Sequence, residues 1–555
     1  MSDGSPVFSE LRAEHPLGRM LEYHDRTKHR LNRFARSPGY LDWATQPDPF
    51  RRFGGTTAIA LEHPAPTLAG PRYDDLFDTS PPADPVDIHS LSRFLYDSLA
   101  LSAWKEAAPG NRWSLRVNPS SGDLHPTEAY LLIGYGSGID KESALFHYNV
   151  FDHALEKRRG LGQVSLSPTA DGGFFVGFSS IYWRESWKYG ERAFRYCHHD
   201  VGHALGGVAI SAALSGWRTR LVSNVSDGGL DRLLGCHLQS GPEAEHADCL
   251  IAVFPVDARP GALDIQVPAG VADDKAREAF IGRPNPLSGN HRDWPVIEEA
   301  GRTARNPGAA FPARPVRTGD AGRSASRNPR DIRARPLIRT RRSAVALDAV
   351  THLGAEPFFR MLERLMPDTS PIPFDILPYD TRISLVLFVH RVRGLDPGIY
   401  ALVRDLRHMD SLRSEMTDSF AWRQPPGCPP DLPLYLLETG DARQVSALVS
   451  CRQEIAGDGA FSLGMLAELE AALETGAWAY PRCYWEAGLI GQVLYLEAEA
   501  AGVRGTGIGC FFDDAVHQLL GISNHVWQSI YHFTVGGAVE DTRLRTLHPY
   551  FHLGY

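Results

Sequence analysis

The sequence predicts an α+β protein that contains two tandem copies of one folding unit. Its 555 residues exceed the usual size of a single domain, which is roughly 100–250 residues. Similar segments occur at equal spacing in both halves of the chain, and a segment rich in Arg, Pro, Gly and Ser separates them. Hydrophobic residues make up 43% and charged residues 22%, which is typical of a globular protein.

The repeated segment begins at a glycine in each half. GHALGGVAISAALSGWRTRL starts at Gly202, and GLIGQVLYLEAEAAGVRGTGIG starts at Gly488. In both copies a Leu-Leu-Gly motif follows at the same distance from that first glycine, ending at Gly235 and at Gly521. Small and apolar residues at helical spacing lead through a glycine turn into a β-like run and a second helix. So long a repeat distance indicates a duplicated domain, because solenoid repeats are roughly 20–50 residues long.

The composition changes sharply between residues 283 and 335. RTARNPGAAFPARPVRTGDAGRSASRNPRD has almost no hydrophobic periodicity, so it cannot bury enough apolar surface to order itself. We therefore predict a first domain over 1–282, an exposed linker over 283–335 and a second domain over 336–555. Only one aromatic residue, Phe311, interleaves with the arginines in residues 302–331, which argues against a nucleic-acid-binding arm.

Charge and cysteine usage exclude several classes of protein. The formal net charge is −9, so nothing global recruits nucleic acid or an anionic membrane. The seven cysteines are scattered and form no C-x-x-C pair, which disfavours a disulfide framework or a cysteine zinc site. The N-terminus lacks a signal-peptide pattern, and no apolar run approaches the length of a membrane span. We expect a cytoplasmic protein with no membrane and no nucleic-acid partner.

Four segments carry a resemblance to a known family. They are RVNPSSGDLHPTEAYLL (116–132), WKYGERAFRYCHHDVGHALGGVAI (187–210), RTRRSAVALD (339–348) and WEAGLIGQVLYLEAEAAGVRGTGIGCFFDD (485–514). Together they resemble the nitroreductase-like FMN flavoproteins, specifically the SagB/ThcOx-type dehydrogenases. The resemblance implies two tandem nitroreductase-like domains, each a mainly antiparallel sheet flanked by helices. It also implies FMN at a dimer interface, which a tandem chain can supply alone as an intramolecular pseudo-dimer; further oligomerisation stays open.

The candidate phosphate site is Arg341, Arg342 and Ser343. They precede the apolar helical pattern VALDAVTHL, and two guanidinium groups and a hydroxyl near a helix N-terminus can bind a phosphate. The alternative is a pair of solvated arginines. The resemblance implies that these residues hold the FMN phosphate. The family often has a basic residue two positions after the serine, where this chain has Val345.

Two further motifs are predicted to surround the flavin ring. Pro119, Ser120, Ser121 and Gly122 form a turn before a strand, and the resemblance implies that this loop lines the isoalloxazine. In homodimeric relatives the loop and the arginine motif come from opposite subunits, and here each occurs in one half only. We therefore predict one complete FMN site and one pseudo-site. Glu486, Ala487 and Gly488 are predicted to complete the edge of the ring, since glycine allows close backbone approach.

Lys188 and Tyr189 are the predicted catalytic residues. They match a Lys-Tyr pair proposed to act in azoline oxidation by the azole-forming members of the family. Aromatising a thiazoline or oxazoline removes a C–H proton and delivers a hydride to flavin N5, which requires a base beside the ring. The alternative is a surface lysine and a packed tyrosine.

A rival motif lies in the first half. His199 and His203 stand at i and i+4, as in a helical zinc motif of the H-E-x-x-H type. Asp200 is shorter than the usual glutamate, and Gly202 is unfavourable inside a helix. The second-half counterpart keeps the glycine and has no histidine, so we predict no metal site.

These patterns lead to an FMN-dependent oxidoreductase acting on a small-molecule or peptide substrate. The leading hypothesis is a SagB-like dehydrogenase that oxidises a peptide thiazoline or oxazoline in natural-product biosynthesis, with other biosynthetic enzymes as partners and O₂ as the final acceptor. One alternative is an NAD(P)H-dependent nitro or quinone reductase. Another is a flavin-free scaffold pseudoenzyme.

Overall fold

The computed structural model describes residues 15–65, 68–78, 80–258, 280–309 and 326–555. It confirms the predicted α+β class, with two large antiparallel sheets and helices packed against them. The helices are α1 (Pro16–Arg26), α2 (Asp75–Asp78), α3 (Ile88–Tyr96), α4 (Tyr182–Tyr189), α5 (Ala193–Leu214), α6 (Asp227–Leu234), α7 (Pro295–Thr303), α8 (Ala334–Thr340), α9 (Ala355–Glu363), α10 (Pro371–Phe374), α11 (Met409–Glu415), α12 (Arg443–Val449), α13 (Ile455–Asp458), α14 (Leu469–Glu474), α15 (Ala479–Ala501) and α16 (Asp513–Leu520).

The strands form the two large sheets and three small ribbons. They are β1 (Phe53–Gly54), β2 (Ala58–Ala60), β3 (Leu101–Ala108), β4 (Asn111–Arg116), β5 (Thr127–Ile133), β6 (Ala144–Asn149), β7 (Ala154–Gly160), β8 (Phe174–Ile181), β9 (Trp217–Leu221), β10 (Glu245–Pro255), β11 (Arg283–Pro284), β12 (Leu353–Gly354), β13 (Ile383–Val389), β14 (Val392–Arg393), β15 (Gly398–Leu402), β16 (Leu434–Thr439), β17 (Phe461–Glu468), β18 (Arg504–Ile508), β19 (Trp527–Gly536) and β20 (Arg545–Leu547).

Apart from the additional edge strand β2 in the first sheet, both large sheets have the same strand order, as a duplication requires. The first runs β2-β7-β6-β5-β8-β10-β9 and the second β16-β15-β13-β17-β19-β18. Strand β5 therefore corresponds to β13, β8 to β17, and β10 to β19. Each of these central strands pairs antiparallel with its neighbours. The sequence ISLVLFV of β13 is buried at every position, which explains its continuous apolar run: both faces of the sheet are covered.

Helices α5 and α15 pack against each other at the centre of the molecule. They carry the repeated glycine segments, and every residue of α5 is buried. A Cβ atom added to Gly202 would lie 2.8 Å from the Cα of Gly488, and the reverse distance is also 2.8 Å. The two helix backbones thus meet at the paired glycines, because any side chain there would hold them apart.

The C-terminal segment crosses to the first half of the chain. Strand β20 pairs with β3, so Thr546 lies opposite Lys105. Tyr550 is fully buried, and its hydroxyl accepts a hydrogen bond of 3.2 Å from the Leu101 backbone N–H. One hydrophobic core contains residues from both halves, from Met20 to Tyr550.

The described part of the predicted linker is not an exposed spacer. Residues 283–309 contain α7, which begins at a proline in its first turn and buries Ile297 and Ala300. Trp294, just before the helix, is 6% exposed. The Arg- and Pro-rich composition hid these few apolar residues, so the expectation of exposure is wrong for this part. Residues 310–325 lie outside the described residues, and the domain boundaries stay a prediction.

Candidate functional site

A cavity of about 530 Å³ lies between the two halves of the chain. The first half contributes Pro119, Ser120, Ser121, Gly122, Asp123, Lys188, Tyr189, Tyr196, Asp200 and His203. The second half contributes Ser343, Gln453, Tyr495, Thr506, Gly507, Ile508, Gly509, Cys510 and Tyr531. Four residues that follow α1 complete the wall: His29, Phe34, Ala35 and Ser37. The volume lies within the range of small-molecule sites, roughly 300–1,000 Å³.

The predicted PSSG loop forms one side of the cavity. Gly122 has a φ of +65° inside a single 3₁₀ turn. A Cβ added there would lie 2.7 Å from both Lys188 Nζ and Tyr189 Oη. Glycine is needed here for its conformation and for this close approach. The Ser121 N–H donates to Asp200 Oδ1 at 3.2 Å and fixes the loop against α5.

Lys188 and Tyr189 therefore face this cavity, which the sequence alone left undecided. They end α4, where Gly190 follows with a φ of +57°. The Tyr189 ring packs edge-on against Tyr196, with centroids 4.6 Å apart. Burial, reinforced by the nearby Glu185 carboxyl, raises the pKa of Tyr189 well above its ordinary value. Its phenol stays protonated at neutral pH and can donate a hydrogen bond into the cavity.

Three carboxyl groups surround the same pair. Burial raises the pKa of Asp123 to about 6, against the opposing charges of Arg341 and Lys188. Burial likewise raises the pKa of Asp200 to about 7, although hydrogen bonds from Ser120 and Ser121 oppose the shift. Burial and the neighbouring Asp200 raise the pKa of Glu185 well above its ordinary value. A carboxyl that titrates near neutral pH suits general acid–base work.

The structure separates the three residues of the predicted phosphate motif. Ser343 lines the cavity, and its hydroxyl lies 3.0 Å from the Tyr495 hydroxyl, which accepts from the Gly507 N–H at 2.9 Å. Arg341 lies behind Tyr495, with its guanidinium carbon 4.9 Å from that ring centroid. Arg342 is directed away from the cavity and donates to the Ser102 carbonyl at 3.0 Å.

Arg341 is almost fully buried and holds the start of the PSSG loop. Its Nη2 donates to the carbonyls of Arg116 and Val117 at 3.2 and 3.3 Å. Its Nε is buried and has no hydrogen-bond partner among the described residues. Burial lowers the pKa of this guanidinium. A buried, unpaired N–H on a cation is a donor that an anionic ligand group can satisfy.

Glu486, Ala487 and Gly488 lie outside the cavity wall. The Glu486 carboxylate pairs with Arg404 at 2.5 Å and accepts from the Arg382 N–H at 2.9 Å. Gly488 packs against Gly202 at the centre of the helix pair. This geometry does not support the prediction that these three residues form the edge of the ring site.

Asp200 is the functional candidate that the sequence reasoning missed. Asp200 and Glu486 each stand two positions before the first glycine of their copy of the repeat. Each also accepts a backbone N–H from the loop that precedes a central strand: Ser121 for Asp200, Arg382 for Glu486. The repeat offset contained this equivalence. The sequence prediction placed the ring edge at Glu486 and interpreted Asp200 as part of the rival zinc motif, so the equivalence of the two carboxylates was not recognised.

The equivalent space on the other side of the helix pair is nearly filled. A cavity of about 40 Å³ remains there, between Trp478, Arg482, Trp485 and residues of α7 such as Gly301. The Arg482 guanidinium stacks 4.4 Å from the Trp478 ring. These large side chains take the volume that a ring-shaped ligand needs.

The paired histidines of the rival motif have protein partners. His199 Nε2 lies 3.1 Å from the Ile530 carbonyl, and His203 Nε2 lies 3.1 Å from the Tyr531 hydroxyl. Within the described ranges, no group of three or more His, Cys, Asp or Glu residues is arranged to hold a metal ion. No helix in the described part of the chain is long and apolar enough to cross a bilayer.

Comparisons with known proteins agree with this architecture. Residues 438–537 match the Nitroreductase family. The chain is similar in fold to a candidate nitroreductase from Anabaena variabilis, with a TM-score of 0.68 and 21% identity over 94% of this chain and 99% of the other. The molecule therefore has a nitroreductase-type fold.

Two further solved structures overlap with part of the chain. A candidate nitroreductase from Ralstonia eutropha has a TM-score of 0.27 and 18% identity, over 40% of this chain and 98% of the other. A chain of the E. coli microcin synthetase McbBCD complex with truncated pro-MccB17 has a TM-score of 0.26 and 16% identity, over 46% of this chain and 100% of the other. No curated protein matches the sequence.

Proposed function

We propose that the chain is an FMN-dependent oxidoreductase whose flavin site is the cavity between its halves. The observation that carries this proposal is the composition of the cavity wall. The PSSG loop and the Lys188–Tyr189 pair come from one half, and Ser343 comes from the other. Residues far apart in the sequence thus meet where the tandem arrangement requires them. On this proposal the two halves act as an intramolecular pseudo-dimer.

The residues around the cavity fit FMN. Tyr196, Tyr495 and Tyr531 supply an aromatic wall for a flat ring. Ser343 supplies a hydroxyl at the wall for the phosphate end, and Arg341, buried directly behind Tyr495, adds positive charge and an unpaired Nε–H close to the wall. Gly507 and Gly509 permit the backbone of β18 and the loop after it to approach closely. Arg342 remains a proposed ligand, to be tested separately because its side chain is directed toward Ser102.

The chain's own residues handle the proton in this proposal. Bound FMN would supply the two-electron acceptor that amino-acid side chains lack. Lys188 takes the C–H proton, since its amino group lies over Gly122 at the cavity wall. Asp200, with its pKa raised to about 7, is a second group in the cavity wall that can accept or donate a proton near neutral pH. Tyr189 donates its phenolic hydrogen bond to the substrate.

The substrate class that we propose is a peptide thiazoline or oxazoline, oxidised to the azole with O₂ as final acceptor, as in a SagB-like dehydrogenase. This rests on the resemblance of WKYGERAFRY to the Lys-Tyr pair and on the place of that pair in the cavity. We therefore infer that other biosynthetic enzymes supply the azoline. Oxygen consumption measured with a thiazoline peptide tests this choice of substrate class. Steady oxidation of NADPH with a nitro or quinone acceptor, without azoline turnover, would favour the reductase alternative.

The first experiment is an absorption spectrum of the purified protein, followed by heat release and quantification of flavin. We expect about one FMN per chain, because the equivalent space on the other side is nearly filled. Arg341→Ala and Ser343→Ala are expected to weaken FMN binding about tenfold or more each. Arg342→Ala tests the remaining arginine, and Arg543→Ala on the exposed surface is the control. If no flavin is bound after incubation with FMN, the proposal is contradicted. If about two FMN molecules are bound per chain, the inference that the second space is nearly filled is contradicted.

A further inference from the structure

Two cysteines lie close together beside the cavity, and one of them, Cys510, forms part of its wall. Cys451 follows α12, and Cys510 follows β18. The segments that carry them are joined by a hydrogen bond of 2.7 Å from the Phe512 N–H to the Val449 carbonyl. The Gln453 side-chain amide bridges the Ser450 and Cys510 carbonyls at 2.8 and 3.0 Å. These two ties bring Cys451 and Cys510 next to each other, close enough that each thiol shifts the pKa of the other.

His29 completes the group from the N-terminal segment. Its Nδ1 accepts a hydrogen bond of 2.9 Å from the Ala35 N–H. A neutral imidazole with Nδ1 as acceptor carries its proton on Nε2. Because burial lowers the pKa of His29, the ring is neutral and can donate that N–H to the Cys510 sulfur.

The surroundings of Cys510 favour a thiolate. The Cys451 hydrogen bond, followed by that of His29, lowers the pKa of Cys510 to about 5. Arg192 adds positive charge, while Asp513 is already paired with Arg192 at 3.1 Å. The pKa of Cys451 is raised, because its thiol donates to Cys510.

The other five cysteines have the opposite character. Burial raises the pKa of Cys197, Cys236 and Cys249 well above the ordinary value, and that of Cys483 to about 12. Cys428 is half-buried like Cys451 and Cys510, but its pKa is raised to about 11. Thiolate character and access to a cavity coincide at Cys510, and these are the conditions for reaction with an oxidant.

We propose that Cys451 and Cys510 form a redox-active dithiol beside the cavity, which hydrogen peroxide oxidises to an intramolecular disulfide. The Cys510 thiolate attacks the peroxide, so an S–O bond forms, the O–O bond breaks, and hydroxide leaves and is protonated to water. The Cys451 sulfur then attacks this sulfenic acid, so the S–S bond forms, the S–O bond breaks, and a second water leaves. Two thiols and one peroxide give one disulfide and two waters. This proposal does not depend on the flavin.

The test is peptide mapping of the full chain after treatment with a small excess of hydrogen peroxide. Remaining thiols are alkylated, and the protein is digested without reductant and analysed by mass spectrometry. We expect a peptide pair joined through Cys451 and Cys510 that loses two hydrogens and separates on reduction. Cys428 should be alkylated fully before and after peroxide, as the internal control.

Two variants sharpen the result. Cys451→Ser should leave Cys510 as sulfenic or sulfinic acid, and Cys428→Ser should still form the joined pair. Alkylation of native protein as a function of pH should show Cys510 reacting at a lower pH than an ordinary thiol, whereas Cys428 should stay unreactive until alkaline pH. If both thiols of the wild type remain free after peroxide, or if Cys510 becomes sulfinic acid while Cys451 is intact, the proposal is overturned.

Discussion

Asp200 shows at the scale of one residue how burial changes chemistry. Its side chain is 2% exposed, and its pKa is raised from 3.8 to about 7. A carboxyl with a raised pKa stabilises the fold below pH about 4, and this contribution is lost as pH rises through about 7. Burial is the main cause of this upward pKa shift, and the neighbouring Asp123 carboxyl adds to it.

We predict that Asp200→Asn removes this pH dependence. The amide keeps the shape and cannot ionise, so the variant should be more stable than the wild type by roughly 2–4 kcal/mol at pH 8 and similar to it at pH 4. Urea unfolding at both pH values measures the difference. Asp541→Asn, on the surface with its pKa lowered to about 2, is the control and should show no such gain. Equal pH dependence in Asp200→Asn and wild type would refute the argument.

At the same scale, Lys188→Ala and Tyr189→Phe test the proposed chemistry. Loss of a positioned proton-transfer group typically lowers turnover by about 10²–10⁴-fold. We expect each variant to keep the flavin content of the wild type, because neither residue is assigned to the phosphate end. Turnover and bound flavin are measured in parallel, with Lys141→Ala on the surface as control. Loss of flavin together with turnover would mean that the pair shapes the site instead.

Some residues of the site could be predicted from short sequence motifs, and others depend on contacts with distant parts of the chain. Pro119 to Gly122, Lys188, Tyr189 and Ser343 were predicted together from short motifs, and they do line one cavity. The directions of Arg341 and Arg342 were not predictable, because they depend on carbonyls in the other half of the chain. The position of Asp200 in the cavity wall was not predictable for a related reason, since it depends on the packing of α5 against α15.

At the scale of elements, the repeat predicted both long central helices. Small and apolar residues at helical spacing marked α5 and α15. The short strand β20 was not predictable, because so brief a segment carries no pattern and its partner β3 lies in the first half of the chain. Helix α7 was missed because its few apolar residues are set in a polar, proline-rich context.

The α5–α15 contact yields the next prediction. A Cβ at Gly202 would meet the backbone of Trp485 and Gly488, which cannot move aside as a flexible side chain can. We expect Gly202→Ala to destabilise the protein by about 2–4 kcal/mol, at or above the usual cost of overpacking. Gly228→Ala in α6 is the matched control: its nearest neighbours are 3.8 Å away, so helix propensity should make it neutral or stabilising. Chemical denaturation compares the two, and an equal response would contradict the close helix contact.

At the scale of the whole molecule, the halves are joined in three ways. The helix pair forms one contact, the shared hydrophobic core a second, and the C-terminal segment on β3 a third. The flavin site that we propose uses walls from both halves, so it requires this union. A duplicated chain whose halves share one core is expected to unfold as one unit, although each half is large enough to be a domain by itself.

We therefore predict a single cooperative thermal transition, seen equally by calorimetry and by circular dichroism. Tyr550→Ala should lower its midpoint without dividing it, since this buried ring from the second half packs on His63, Tyr96 and His153 of the first. Removing a buried aromatic side chain costs about 3–5 kcal/mol. Phe551→Ala, at a less buried neighbouring position, is the control and should have a smaller effect. Two separate transitions in the wild type would show that the halves fold independently and meet only weakly, and a site built across them could then open between them.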